Sequence, residues 1–74
     1  MNRAYIIPTG DEIAAGTVLD LDSPEVMRVL LRAFPRAQVV RIPPVTDTLD
    51  GIIEALNGCL REGAELIVLI GGSG

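Results

Sequence analysis

Apolar positions along the chain fall into three short runs, and two segments of helical period lie between them. Residues 4–7 form the first run and meet Pro8-Thr9-Gly10, which predicts a strand stopped at the proline. Residues 38–42 carry β-branched Val39, Val40 and Ile42 and end at Pro43-Pro44, which predicts a second strand. The third covers residues 65–70. Five consecutive aliphatics, Leu66-Ile67-Val68-Leu69-Ile70, run straight into Gly71-Gly72-Ser73-Gly74. A short apolar run bounded by glycine reads as a strand covered on both faces, the habit of parallel sheets.

Between the first two runs, Ser23-Pro24-Glu25 predicts a helix start: a Ser cap, a Pro at the first helical position and an acid in the first turn. Val26, Met27, Leu30, Leu31 and Phe34 then recur on one face to about residue 34, and Pro35 ends the helix. Residues 13–22 read as a long connection with a short extended piece at 17–19. A second helix is predicted over residues 49–62, capped by Asp47 or Thr48 and closed by Gly63. Its inward face is Ile52, Ile53, Leu56 and Leu60.

The order is therefore β-α-β-α-β, which predicts an α/β fold with a mainly parallel sheet. Ligands of such sheets bind beyond the carboxyl ends of the strands. Three loops meet there: residues 8–22, 43–48 and 71–74.

Composition narrows the partners. The 74 residues make one small domain at most. The apolar fraction of 49% is almost wholly aliphatic, with one Tyr, one Phe and no Trp, so no base-stacking surface is available. A net charge of −4 argues against nucleic acid as a partner. With no histidine and one cysteine, Cys59, disulfide frameworks and His-based zinc or triad chemistry are excluded within these residues. Neither a signal peptide nor a membrane span is recognisable, so a cytoplasmic location is expected.

The loops hold the candidate chemistry. Gly71, Gly72, Ser73 and Gly74 offer consecutive N–H donors and a hydroxyl that suit an anion, although a strand-to-helix turn needs such glycines too. Asp11 and Glu12 could hold Mg²⁺ or accept bonds from a ligand, or act only as turn caps. Asp47 precedes a helix and could cap it or face the site. Arg28, Arg32 and Arg36 read as a solvated helix face beside Glu25. Cys59 falls in the second helix and reads as a packed thiol.

Four segments resemble one known family in the same order. They are Ile7-Pro8-Thr9-Gly10-Asp11-Glu12-Ile13, Gly16-Thr17-Val18-Leu19-Asp20-Leu21-Asp22-Ser23, Val45-Thr46-Asp47, and Leu66 through Gly74. Together they resemble the molybdopterin-binding domain of molybdenum-cofactor biosynthesis proteins, which also forms the N-terminus of competence-damage-inducible-type proteins. The resemblance implies that residues 1–74 are the β-α-β-α-β half of a three-layer α/β/α domain, cut at its glycine loop.

It also implies roles. Gly71, Gly72, Ser73 and Gly74 would contact the phosphate side of the ligand, with Ser73 where the family usually has threonine. Thr9, Gly10, Asp11 and Glu12 would edge the same pocket, with Asp11 a candidate metal ligand. Asp47 matches an active-site aspartate. The implied ligand is molybdopterin or molybdenum cofactor, with Mg²⁺ and ATP possible. Two features depart from the family: a further site aspartate expected after the glycines has no counterpart, and Asp22 stands where an asparagine is frequent.

The parent activity would be a molybdopterin adenylyltransferase or molybdenum insertase, and the 74 residues alone are expected to be inactive. The alternatives are a nucleotide-processing domain of the competence-damage-inducible type and a non-catalytic ligand-binding or assembly module. Self-association is expected through an exposed sheet edge and apolar helix faces.

Overall fold

The computed structural model describes residues 1–71. Three strands and three helices alternate along them: β1 (Arg3–Pro8), α1 (Asp11–Ala14), α2 (Asp22–Ala33), β2 (Gln38–Arg41), α3 (Leu49–Arg61) and β3 (Leu66–Ile70). The sheet is wholly parallel with order β2-β1-β3, so the first strand of the chain is the central one. The α/β fold expected from the apolar pattern is the fold observed.

Strand alternation builds the layers. Ala4 and Ile6 point to one face and pack with Leu30, Val26 and Met27 of α2. Tyr5 and Ile7 point to the other and pack with Cys59, Leu56 and Ala55 of α3. Period 2 in β1 thus serves two helices of period 3.6, one on each face. Among the described residues, no helix is long and apolar enough to cross a membrane.

Several expectations need correction. First, β1 runs through Pro8 rather than stopping before it. Ile6 turns its carbonyl toward β2, where Ile42 N–H donates to it at 3.0 Å, and by alternation Pro8 faces the same side. β2 ends at Arg41, so the N–H that proline lacks would have had no strand to bond. Second, Asp11–Ala14 is a short helix, too brief to register as a period in the sequence.

Third, residues 17–19 form no strand. The chain folds back there, with the Thr17 amide and hydroxyl and the Val18 amide all donating to the Glu12 carbonyl. Fourth, α2 begins at Asp22, and Ser23 lies inside its first turn as a donor rather than at its cap. The cap position is Leu21, which offers no side-chain acceptor, and the Ser23 N–H donates instead to Asp20 Oδ1 at 3.0 Å, one residue before the cap.

The second helix follows the sequence more closely. Thr48 is its cap, with Oγ1 accepting from Gly51 N–H at 3.0 Å. Gly63, at φ 88°, takes the chain out of it. Ile53 and Leu60, expected to face inward, are instead exposed; Ala55 and Cys59 take the inward places beside Leu56.

Candidate functional site

The loops that leave neighbouring strands part to opposite faces of the sheet. β1 leads to α2 on one face and β2 leads to α3 on the other. A crevice opens where they separate, at the carboxyl ends of the strands. The cleft there holds about 400 Å³. Thr9, Gly10, Asp11, Glu12, Asp47 and Gly71 line it. These residues come from three sequence segments, and the sequence reading singled out each of them. Gly72, Ser73 and Gly74 lie outside the described residues.

Thr9 is the hinge of this arrangement. Its N–H and its Oγ1 both donate to the Ile70 carbonyl, at 2.7 and 2.9 Å, which ties the end of β3 to the end of β1. On its other side it bridges to Val45 in the loop after β2. The Val45 N–H donates to the Pro8 carbonyl and the Gly10 N–H to the Val45 carbonyl. Three strand ends are thereby held in one rigid collar. Gly10, at φ 142°, then turns the chain into α1.

That turn carries Asp11 over the cleft. Its Oδ1 accepts from the Asp47 N–H at 3.0 Å, a bond between residues 36 apart in sequence. Asp11 thus orients the loop that presents Asp47, and its second oxygen takes no hydrogen bond among the described residues. Asp47 does not cap α3, since Thr48 does. The side chains of Asp47, Asp11 and Glu12 are exposed toward the cleft mouth.

Four further lining residues escaped the sequence reading as site residues. Ile13 and Val18 add apolar wall beside Ile70, and Asp22 adds a fourth carboxylate. Asp22 was conspicuous only as a departure from the family pattern. Val18 was unreadable because residues 17–19 were read as a short extended piece, and Ile13 because α1 is too brief to show a period.

Asp20 anchors that connection. Its side chain is only 5% exposed, and its Oδ2 accepts from Arg41 Nε at 3.0 Å. Burial works against the charged form. Hydrogen bonds from Ser23 and Arg41, and the Arg41 charge, outweigh it and hold the Asp20 carboxyl below its ordinary value. The Ser23 hydroxyl is buried with no hydrogen-bond partner among the described residues.

The rest of the candidate chemistry is structural. Arg28 pairs with Glu25 on the exposed side of α2, as read from their spacing. Cys59 is buried, and burial together with the nearby Glu62 charge pushes its thiol up. It is a poor nucleophile there.

The donor set fits a neutral, N–H-rich ring better than a bare anion. Four carboxylates line the cleft, and no basic side chain is among its described lining residues. Among the described residues no three His, Cys, Asp or Glu side chains converge to cage a metal. Mg²⁺ held by one or two carboxylates and completed by a ligand's phosphates remains compatible with Asp11 and Asp47.

Comparison with known proteins adds one relative. The chain is similar to a protein of Caldivirga maquilingensis, 36% identical over 72 residues, which cover 97% of this chain and 27% of the relative. The chain thus spans about a quarter of that protein's length, and the relative's name assigns it no activity. No family model and no solved structure matches.

Proposed function

We propose that the cleft binds a phosphorylated pterin of the molybdopterin type. The Asp11–Asp47 hydrogen bond carries this reading, because it joins two loops into one carboxylate-lined wall at the strand ends. A pterin presents ring N–H and amino donors along one edge, and carboxylates are their natural acceptors. Ile13, Val18 and Ile70 supply apolar surface for the flat ring. The phosphate would lie toward Gly71 and the glycines after it, with Mg²⁺ offsetting the acidic rim. Four family-like segments in register support the same ligand. No activated nucleophile lines the described cleft, so the reading is of binding, not of turnover by these residues alone.

A titration of the 74-residue chain with molybdopterin and Mg²⁺, followed by pterin fluorescence, tests this. Saturable binding is expected, weakened about tenfold or more in Asp47→Asn, because a charged acceptor is exchanged for a neutral one. No saturation, or equal binding by D47N, overturns the proposal. A nucleotide that displaces the pterin completely at lower concentration would move the assignment to the nucleotide-processing alternative.

A further inference from the structure

Residues 11–22 lead from the end of β1 into α2 and supply Asp11, Glu12, Ile13, Val18 and Asp22 to the cleft wall. This stretch is joined to the β2 side of the sheet at two points. Near its start, Asp11 Oδ1 accepts from the Asp47 N–H in the loop after β2. Near its end, Asp20 Oδ2 accepts from Nε of Arg41, the last residue of β2, at 3.0 Å. The partners are 36 and 21 residues apart in sequence, so neither bond follows from local turn geometry. Between the two points the bonds among the described residues are local. The Thr17 and Val18 amides donate to the Glu12 carbonyl at 2.9 and 3.3 Å, and the Gly16 amide to the Ile13 carbonyl at 3.1 Å.

Asp20 commits both oxygens. A carboxylate whose side chain is only 5% exposed is costly unless its charge is paired and hydrogen-bonded. Oδ1 takes the Ser23 N–H and Oδ2 takes Arg41, so one side chain ties the first turn of α2 to the end of β2. Asp22 stands between Asp20 and Ser23 in the chain, and Val18 stands two residues before Asp20. Both line the cleft, whereas Asp20 and Arg41 are not among its described lining residues.

We infer that Asp20 is a positioning residue of the cleft: through Arg41 and Ser23 it holds the wall that carries Val18 and Asp22, as Asp11 holds the loop that carries Asp47. Ligand affinity then depends on a charge pair that touches no ligand. The effect on ligand rests on the pterin reading above; the effect on the wall does not.

The test uses four variants of the 74-residue chain. Asp20→Asn keeps an acceptor for the Ser23 amide and loses the charge. Arg41→Met removes the donor and leaves a covered carboxylate unpaired, so it should cost at least as much. Asp20→Asn with Arg41→Met removes both charges and should be no worse than R41M alone, because the two residues act as one unit. Leu56→Ala is the control: it weakens the α3 layer on the other face of the sheet and should lower the urea midpoint only.

Two readouts are taken without denaturant, on variants whose circular dichroism shows them folded. The first is amide hydrogen exchange by NMR. D20N and R41M should speed exchange at Thr17 and Val18 about fivefold or more relative to Ile52 in α3, whereas L56A should not. The second is titration with molybdopterin and Mg²⁺, followed by pterin fluorescence. D20N and R41M should weaken binding about threefold or more, and L56A should leave it unchanged, because a loss of stability alone does not alter affinity in a chain that stays folded.

Unchanged relative exchange at Thr17 and Val18 in D20N overturns the inference. So does parent-like binding by D20N, equal weakening by L56A, or an additive double variant. Failure of the parent chain to bind molybdopterin overturns the pterin reading instead. The exchange comparison then decides the inference alone: local acceleration upholds Asp20 as the brace of the cleft wall, and uniform acceleration across α3 overturns it.

Discussion

A Cβ placed on Gly71 would lie 2.2 Å from the Thr9 hydroxyl oxygen and 2.6 Å from the Thr9 carbonyl oxygen, at a backbone φ of 138°. Neither contact can relax locally, since the same hydroxyl and the Thr9 amide hold the Ile70 carbonyl. Gly71→Ala should therefore lower the unfolding free energy by about 2–3 kcal/mol, from strain and from loosening of the Thr9–Ile70 latch. Urea denaturation checks this, and a midpoint equal to that of the parent would show that the latch yields. The sequence marks a glycine here because an aliphatic strand ends at it, and an anion-binding role follows from that alone. What forces a glycine at position 71 is Thr9, far away in the chain and visible only once β1 and β3 are paired. Position 71 thus has a packing reason that holds with or without a ligand, whereas Asp11 and Asp47 have exposed carboxylates that serve no core.

At the scale of elements, the connection between α1 and α2 explains most of what the sequence concealed. Strands and long helices announce themselves by period, so all three strands and both long helices were legible, with ends shifted by a few residues. A four-residue helix and a folded-back turn have no period to show. Ser23-Pro24 is a strong start signal that lost to Asp20, whose carboxylate reaches the Ser23 amide from outside the helix while binding Arg41 on β2. Asp20→Asn keeps an acceptor for the amide and loses the charge. Arg41 is 38% exposed, so solvent screens the pair and the loss at neutral pH should be about 1 kcal/mol. The pH dependence follows from the lowered carboxyl. Its stabilising contribution is present above the ordinary value of 3.8 and disappears as pH falls through the lower folded value. Urea midpoints of wild type and D20N should therefore differ near neutrality and converge in acid. A constant gap across that range would assign the effect to packing instead of charge. A weakened tether should also be felt in the cleft, because the segment it holds supplies Val18 and Asp22.

For the whole molecule, the decisive fact is that the first strand of the chain lies between the other two. Local pattern shows that residues 4–7 are apolar, but strand order is a matter of long-range pairing and was not legible. Its consequence is that Ile6 and Ile7, adjacent in sequence and both fully buried, anchor opposite faces: Ile6 under α2 and Ile7 under α3. Few other residues share the load, since buried apolar side chains are confined to β1, Leu30 and Cys59 among the described residues. A chain of this length is expected to have about 4–11 kcal/mol of stability in total, and one Ile→Ala in a core costs about 2–5 kcal/mol. Ile6→Ala and Ile7→Ala should each leave a folded chain with a urea midpoint lowered by a comparable amount, because each empties one layer and leaves the other packed. The double variant removes both layers from the strand they share and should show no cooperative transition in denaturant. Retention of a cooperative transition by the double variant would mean that β1 is not the common support of the two layers. Circular dichroism against urea, run at one protein concentration for all three variants, separates these outcomes.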